Sequence, residues 1–172
     1  LMCAKCHADP KIVKKYSFPQ AESYKTYHES IHGRALTEKG LIKAAVCNDC
    51  HESHNLRAAD DPMSLIYKYN IPKTCGKCHF GDYQIYQESV HGQALEQKIP
   101  NAPVCTDCHT EHNIRAPEDR ASSVYGSTIS RYTCPKCHSV ETINDRYGLV
   151  TQRATKYMDT YHGVDSRAGN RL

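Results

Sequence analysis

The chain has 172 residues, of which 39% are hydrophobic on a count that includes ten Cys and twelve Tyr, with two Phe and no Trp. So little apolar material excludes a large side-chain core, and it leaves either disorder or a core made of something else. The formal net charge is +3, which is mildly basic.

Along the chain, all ten cysteines fall into CxxC pairs. The five pairs are Cys3/Cys6, Cys47/Cys50, Cys75/Cys78, Cys105/Cys108 and Cys134/Cys137. Each pair is followed at once by a histidine, and these are His7, His51, His79, His109 and His138. With 11 His in the chain, five such coincidences have a chance on the order of one in a million.

Three kinds of site use CxxC pairs. A disulfide framework is usual for an even cysteine count in a small polar chain, but it does not require the histidines. Zinc sites combine two such pairs, and five pairs leave one without a partner. Attachment of c-type haem explains every position, because the two thiols add to the two vinyl groups of the porphyrin and the next imidazole binds the iron. The sequence therefore predicts five covalently bound haem c groups.

Five haems in this length, about one per 34 residues, supply the missing core. Their ten propionates lower the formal charge from +3 to −7, partly offset by one net positive charge at each oxidised iron. We therefore expect no nucleic-acid partner. We expect many Lys and Arg side chains, including Arg57 and Arg115, to be solvated or to pair with propionates.

Six further histidines are candidates for the second axial position of each iron. The segments "YHESIHGRAL", "YQESVHGQAL" and "YMDTYHGVDS" align His32, His91 and His162, each followed by Gly. His54 and His112 follow their CxxCH histidines by three residues, too close to reach the opposite face of the same ring, so each is expected to bind a neighbouring haem. His28 aligns with Gln87 and Met158 and is expected to be a surface residue or a neighbour of a ligand. The three methionines occupy no repeated place, so we predict bis-histidine ligation.

The motifs form a repeat of CxxCH, a tyrosine-rich segment ending in HG, and CxxCHxxHNxR. We expect unit one at 1–57, a linker at 58–74, unit two at 75–115, a linker at 116–133, and a partial unit three at 134–172. Gly33 precedes Cys47 by 14 residues and Gly92 precedes Cys105 by 13, so another CxxCHxxH is expected near position 176 or 177. We therefore expect a longer array of which this chain is a segment.

The stretches before each HG have helical patterns. "PQAESYKTYHESIHG" carries Pro19 near its start, and Gly33 is expected either to cap the helix or to lie inside a continuing turn. No useful β alternation occurs. The predicted fold is mainly α and irregular, with little β, and the polypeptide wraps around a stack of five haems. The tyrosines are expected to pack on haem edges with their hydroxyls toward water.

Nearly the whole chain, through its CxxCH sites and its "CxDCHxxHNxR" and "YxESxHGxAL" segments, resembles the multihaem c-type cytochromes of the cytochrome c3 and doubled-CxxCH superfamily. The resemblance implies that the cysteines above attach haem, that the adjoining histidines are proximal ligands and that the HG and HxxH histidines are distal ligands. It also implies haem attachment outside the cytoplasmic membrane, in the periplasm or beyond the cell. The family includes electron carriers, haem subunits of membrane complexes and cytochromes that polymerise into conducting filaments.

The expected function is electron transfer without a small-molecule substrate, as a conduit or filament subunit whose partners are redox proteins or other copies of the chain. A discrete periplasmic carrier or a haem subunit of a redox complex is the alternative. An oxidoreductase acting on nitrite, hydroxylamine or tetrathionate would need an open iron, and no CxxCK or similar variant occurs. A protein that only stores haem would not require histidines at both axial positions of each iron.

Overall fold

The computed structural model describes residues 2–17, 22–150, 153–160 and 163–164. This part of the chain is mainly helical and contains no β-strand, as the sequence predicts. The α-helices are α1 Ala4–His7, α2 Pro10–Tyr16, α3 Ser23–Glu29, α4 Ile31–Thr37, α5 Cys47–His51, α6 Ile71–Gly76, α7 Phe80–Glu88, α8 Val90–Glu96, α9 Cys105–His109, α10 Gly126–Thr128, α11 Pro135–His138, α12 Glu141–Arg146 and α13 Arg153–Met158. A 3₁₀ turn spans Lys68–Asn70 and a π turn spans Ile129–Thr133.

The CxDCH motifs form one-turn helices with a built-in cap. In α5, the Asp49 carboxylate accepts a hydrogen bond from the backbone N–H of Val46 at 2.7 Å, and in α9 Asp107 accepts from Val104 at 2.7 Å. Both carboxylates therefore satisfy a backbone donor at the start of the turn. Residues three and four apart in a helix share a face, so the two thiols and the following imidazole of each motif lie on one side.

The two HG histidines among the described residues, His32 and His91, lie in the first turn of a second helix. The tyrosine-rich helices α3 and α7 end before Ser30 and Ser89, whose hydroxyls accept from the N–H groups of Gly33 and Gly92 at 3.1 Å. Of the two alternatives for Gly33, the place inside a continuing turn is confirmed, because Gly33 lies within α4 and does not cap a helix end. Pro19 lies outside the described residues.

The break between these helices brings their backbones so close that a side chain would not fit. A Cβ atom at Gly33 would collide with the carbonyl oxygen of Tyr27, and one at Gly92 with that of Tyr86. A Cβ atom at Gly163 would likewise collide with the carbonyl oxygen of Tyr157. This close approach explains why Gly follows the histidine in all three repeats.

The segments between the units repeat one another in structure. The Oγ atoms of Ser64 and Ser122 donate to the carbonyls of Arg57 and Arg115, both at 3.4 Å, and the two serines are 4% and 2% exposed. Within 58–74 and 116–133, the chain then turns directly into α6 and into the π turn before the next CxxCH motif. These segments are therefore ordered parts of the repeat.

The buried apolar core is small. Ala44, Leu95, Ala102 and Val104 are its buried members among the described residues, whereas Phe80, Ile85 and Val90 are 62%, 71% and 76% exposed. In the described part, no helix has both the length and the apolar character needed to cross a bilayer.

Candidate functional site

The five CxxC motifs lie beside one another in chain order. Within units one and two, the first cysteines of the two motifs are neighbours, because Cys3 lies beside Cys47 and Cys75 lies beside Cys105. Between units, the second cysteine of one motif lies near the next motif. Cys50 is close to Cys75 and Cys78, and Cys108 is close to Cys134 and Cys137. The motifs therefore form a row from the first to the fifth.

Cys6, the second cysteine of the first motif, is exposed and is not among the cysteines at which neighbouring motifs meet. The first motif meets the second through Cys3, and Cys6 is an exposed free thiol in α1. Its backbone carbonyl accepts a hydrogen bond from the Asp9 N–H at 3.2 Å, where α1 gives way to α2. The structure thus shows the Cys6 thiol accessible for attachment, and the haem link assigned to Cys6 stays a prediction.

Three candidate distal histidines face histidines of CxxCH motifs. The ring centroids of His51 and His112 are 6.1 Å apart, with an interplanar angle of 5°. His32 faces His79 at 6.0 Å and 51°, and this pair again joins units one and two. The third pair joins units two and three, because His91 faces His138 at 6.1 Å and 43°.

The spacing of these pairs fits two axial ligands of one iron. Because a metal–imidazole bond is about 2.0 Å long and the ring centroid lies about 1 Å beyond the ligating nitrogen, two imidazoles on opposite sides of one metal ion have centroids roughly 6 Å apart. The distances of 6.0 and 6.1 Å agree with this value in all three pairs. The residues therefore fit a bis-histidine haem.

The pairs follow a simple register. The HG histidine of one unit faces the first CxxCH histidine of the next unit, as in the pairs of His32 with His79 and of His91 with His138. The HxxH histidine faces backwards, because His112 of unit two faces His51 of unit one. Units one and two thus exchange candidate ligands in both directions, and unit two presents one to unit three, which the sequence alone left open.

For the other predicted ligands, the described residues show a surrounding but no facing histidine pair. The ring of His54 is exposed, and its Nδ1 lies 3.4 Å from the Ser53 hydroxyl. His7 lies close enough to His51 for its charge to act on that ring, and His109 is similarly close to His79. His162 lies outside the described residues. His28, predicted not to be a ligand, stacks at a tilt against Tyr24 with ring centroids 6.2 Å apart.

Burial lowers the pKa of one imidazole in each facing pair. It is the largest cause of the lowered pKa values of His32, His51 and His91, and the facing histidine is the next cause in each case. Neutral imidazole is the form that binds metal ions. Burial also raises the pKa values of the Cys50 and Cys108 thiols.

Two tyrosines that the sequence assigned to haem edges have a more specific role. The hydroxyl of Tyr27 donates to the carbonyl of Ala45 at 2.9 Å, and that of Tyr86 donates to Pro103 at 2.8 Å. Each acceptor lies two residues before a CxDCH motif, so the tyrosine ties the HG helix pair to the second motif of its own unit. The expectation that these hydroxyls point to water is wrong. The repeated "YxES" pattern was the available signal.

The arginines of the NxR motif have carboxylate partners in the protein. Arg57 binds Asp61 at 2.7 Å and Arg115 binds Asp119 at 3.0 Å, in each case four residues along the chain. Arg115 also lies 3.8 Å from Glu29 of unit one. The sequence assigned these arginines to propionates and missed the acidic partners, although Asp recurs at the same offset in both units.

The described residues form neither a disulfide nor a cluster of zinc ligands. All ten cysteines are free thiols. No group of three or more His, Cys, Asp or Glu converges on a metal position in the described residues, and a zinc site needs four ligands.

No family model, curated protein or solved structure matches the chain. Function is therefore inferred from the residues themselves.

Proposed function

We propose that the protein is an electron conduit of five haem c groups, a multihaem cytochrome whose polypeptide wraps around a row of cofactors. One observation carries this proposal: along the row of thiol pairs, imidazoles from neighbouring units face one another at the separation of two axial ligands. When bound, haem c supplies reversible one-electron exchange at its iron.

The residues of the chain would hold the haems of His51, His79 and His138 from two units at once. The cysteines and adjoining histidine of one CxxCH turn would supply the thioether links and the proximal ligand, and the facing histidine of the neighbouring unit would supply the distal ligand. Exposed apolar side chains such as Phe80, which directly follows His79, would cover the faces of the macrocycles. The haems would thus complete the small core of the protein chain.

Two-sided histidine ligation favours electron transfer over substrate chemistry. It leaves no iron position for a substrate, and it gives lower reduction potentials than methionine ligation. The motifs follow one another without a break, so electrons would pass along the row in chain order. An oxidoreductase would require at least one iron with an exchangeable ligand.

We further propose that the protein works outside the cytoplasmic membrane, in the periplasm or at the cell exterior. Its partners would be redox proteins or other copies of the chain. A discrete carrier and a filament subunit are separated by electron microscopy of the haem-loaded protein, because only the second forms regular fibres.

The deciding experiment combines haem quantitation with low-temperature electron paramagnetic resonance of the oxidised protein. Five haems per chain with low-spin signals from the facing histidine pairs are the expected result. Fewer than five haems would contradict the attachment sites. A high-spin signal from a haem assigned to His51, His79 or His138 would contradict the pairing and favour an enzyme.

A further inference from the structure

The carboxylate of Asp82 faces a proximal imidazole. Its Oδ2 lies 3.6 Å from Nδ1 of His79, three residues earlier in the chain. Asp82 stands in the first turn of α7, and its charge also acts on His109, where it opposes the lowering of the pKa by burial. A single carboxylate therefore lies next to the CxxCH histidines of the third and fourth sites.

The aspartates beside the other motifs serve the backbone instead, whereas Glu111 acts on His51 through its charge. Asp9, two residues after His7, accepts from the N–H groups of Lys11 and Ile12 and caps α2. The aspartates of the CxDCH turns accept from the valine N–H groups at their own helix starts. Asp82 differs because its carboxylate is directed at an imidazole nitrogen.

The contact leaves the other nitrogen of His79 for the metal. Nδ1 lies nearest Asp82, so Nε2 is the nitrogen left to bind iron. A carboxylate beside the remote N–H of a ligating histidine fixes its tautomer and makes the ligand more basic. At 3.6 Å the contact is just beyond hydrogen-bond length.

We propose that Asp82 lowers the reduction potential of the haem attached at Cys75 and Cys78. It acts as a positioning residue through the proximal ligand His79. Its negative charge favours the oxidised iron, and it acts more weakly on the neighbouring haem of His109. The middle of the row would then have a lower potential than it would have without this carboxylate. This inference rests on the proposed function, because it requires haem at the third site.

A simpler interpretation is that Asp82 only stabilises the start of α7 through the helix dipole. The two interpretations differ in what they change. A residue that interacts only with the helix dipole changes the free energy of unfolding and leaves the reduction potentials of the haems unchanged.

The test is a redox titration of the haem-loaded chain, followed by electron paramagnetic resonance, for Asp82→Asn, Asp82→Glu and Glu88→Gln. Glu88 is on the same helix, so Glu88→Gln removes an equal charge from its other end. We expect Asp82→Asn to shift the oxidised-to-reduced equilibrium of one haem about threefold to tenfold toward reduction, where tenfold corresponds to about 59 mV for one electron. Asp82→Glu should largely restore the potential, and Glu88→Gln should leave it near that of the original protein.

Two results would overturn the inference. One is an unchanged set of potentials in Asp82→Asn, and the other is an equal shift in Glu88→Gln, which would reveal a general charge effect. Neither result contradicts the proposed function as an electron conduit, provided that five haems and the low-spin signals of the facing pairs remain. Loss of haem or of those signals in the unsubstituted protein would instead contradict the proposed function.

Discussion

The imidazole planes of His51 and His112 are parallel to within 5°, whereas the other two facing pairs are tilted by 51° and 43°. The parallel pair contains the HxxH histidine, and both tilted pairs contain an HG histidine. HG histidines lie at the start of a helix, while His112 lies in the segment that follows a one-turn helix. The two kinds of distal histidine therefore approach their partners from differently built parts of the repeat.

Replacement of His112 should open one iron. The relative orientation of two axial imidazoles controls the splitting of the iron d orbitals, so the His51 pair should give the most rhombic of the low-spin signals. In His112→Ala we expect that signal to disappear and one high-spin haem per chain to appear in low-temperature electron paramagnetic resonance.

His54→Ala is the matched control, because His54 occupies the same HxxH position in unit one but is exposed beside Ser53. It should retain the rhombic signal of the His51 pair. Loss of that signal in His54→Ala, with its retention in His112→Ala, would show that the ligands are paired in the opposite register.

The glycine after each HG histidine should be intolerant of a side chain. A Cβ atom at Gly92 would collide with the Tyr86 carbonyl and approach Gln87 Cα to 2.8 Å, and these backbone atoms cannot rotate away. We expect Gly92→Ala to destabilise the protein by roughly 1–3 kcal/mol, as other overpacked substitutions do. The measurement is the midpoint of urea unfolding.

Gly81 provides the comparison, since a Cβ atom there would meet nothing within 4 Å. Gly81→Ala should leave stability unchanged or raise it by about 0.4–1 kcal/mol, because alanine restricts the unfolded chain. Equal destabilisation by both substitutions would contradict the proposed backbone contact at Gly92.

The sequence predicted the helical class, because helix patterns recur before each HG and no strand pattern competes. The sequence also named all six histidines of the three facing pairs as candidate ligands, because their spacing within the motifs repeats. It did not predict which histidine faces which, because that depends on how one unit packs on the next. The register is decided by long-range contacts such as the hydrogen bond from the Ile31 N–H to the Ile114 carbonyl at 2.7 Å.

The break at Ser30 was missed for a different reason. Helix propensity runs through "YHESIHGRAL" without a strong stop signal, and serine occurs both within helices and at their starts. The close backbone approach at Gly33 reveals the break only in three dimensions. Local sequence thus predicted the helices but not the angle between them.

Alkaline pH should weaken the tie made by Tyr86. Burial and the nearby Cys105 thiol raise the pKa of Tyr86 from 10.0 to about 12 in the folded protein. The folded state therefore keeps the phenol proton to higher pH than the unfolded state, so stability is full below pH 10 and falls as pH rises from 10 to about 12. Urea unfolding of the original protein should show this loss.

Tyr86→Phe should be less stable at neutral pH by about 1 kcal/mol, since it removes the hydrogen bond to Pro103. It should also lose less stability than the original protein over the alkaline range. Tyr132→Phe is the control, because Tyr132 is 60% exposed. A pH profile for Tyr86→Phe that superimposes on that of the original protein would show that this phenol does not contribute.

The ion pair between Arg115 and Glu29 should couple units one and two energetically. The two side chains are 3.8 Å apart, and Arg115 is also held by Asp119, which in turn lies 3.9 Å from Arg34 of unit one. This network lies beside the hydrogen bond that joins the units. We expect a double-mutant cycle of Arg115→Ala and Glu29→Ala, measured by urea unfolding, to give a coupling energy of about 0.2–1 kcal/mol, because the pair is partly exposed.

The parallel cycle of Arg57→Ala with Glu29→Ala is the control. Arg57 has the same local partner four residues along the chain, Asp61, and this ion pair involves no residue of unit two. Its coupling to Glu29 should be zero within error. Because Arg115 lies three residues after His112, Arg115→Ala should also alter the low-spin signal of the His51 pair, which Arg57→Ala should leave unchanged. Equal coupling in both cycles would mean that Glu29 acts through general charge, and the contact between the units would then contribute nothing specific to holding the distal ligand.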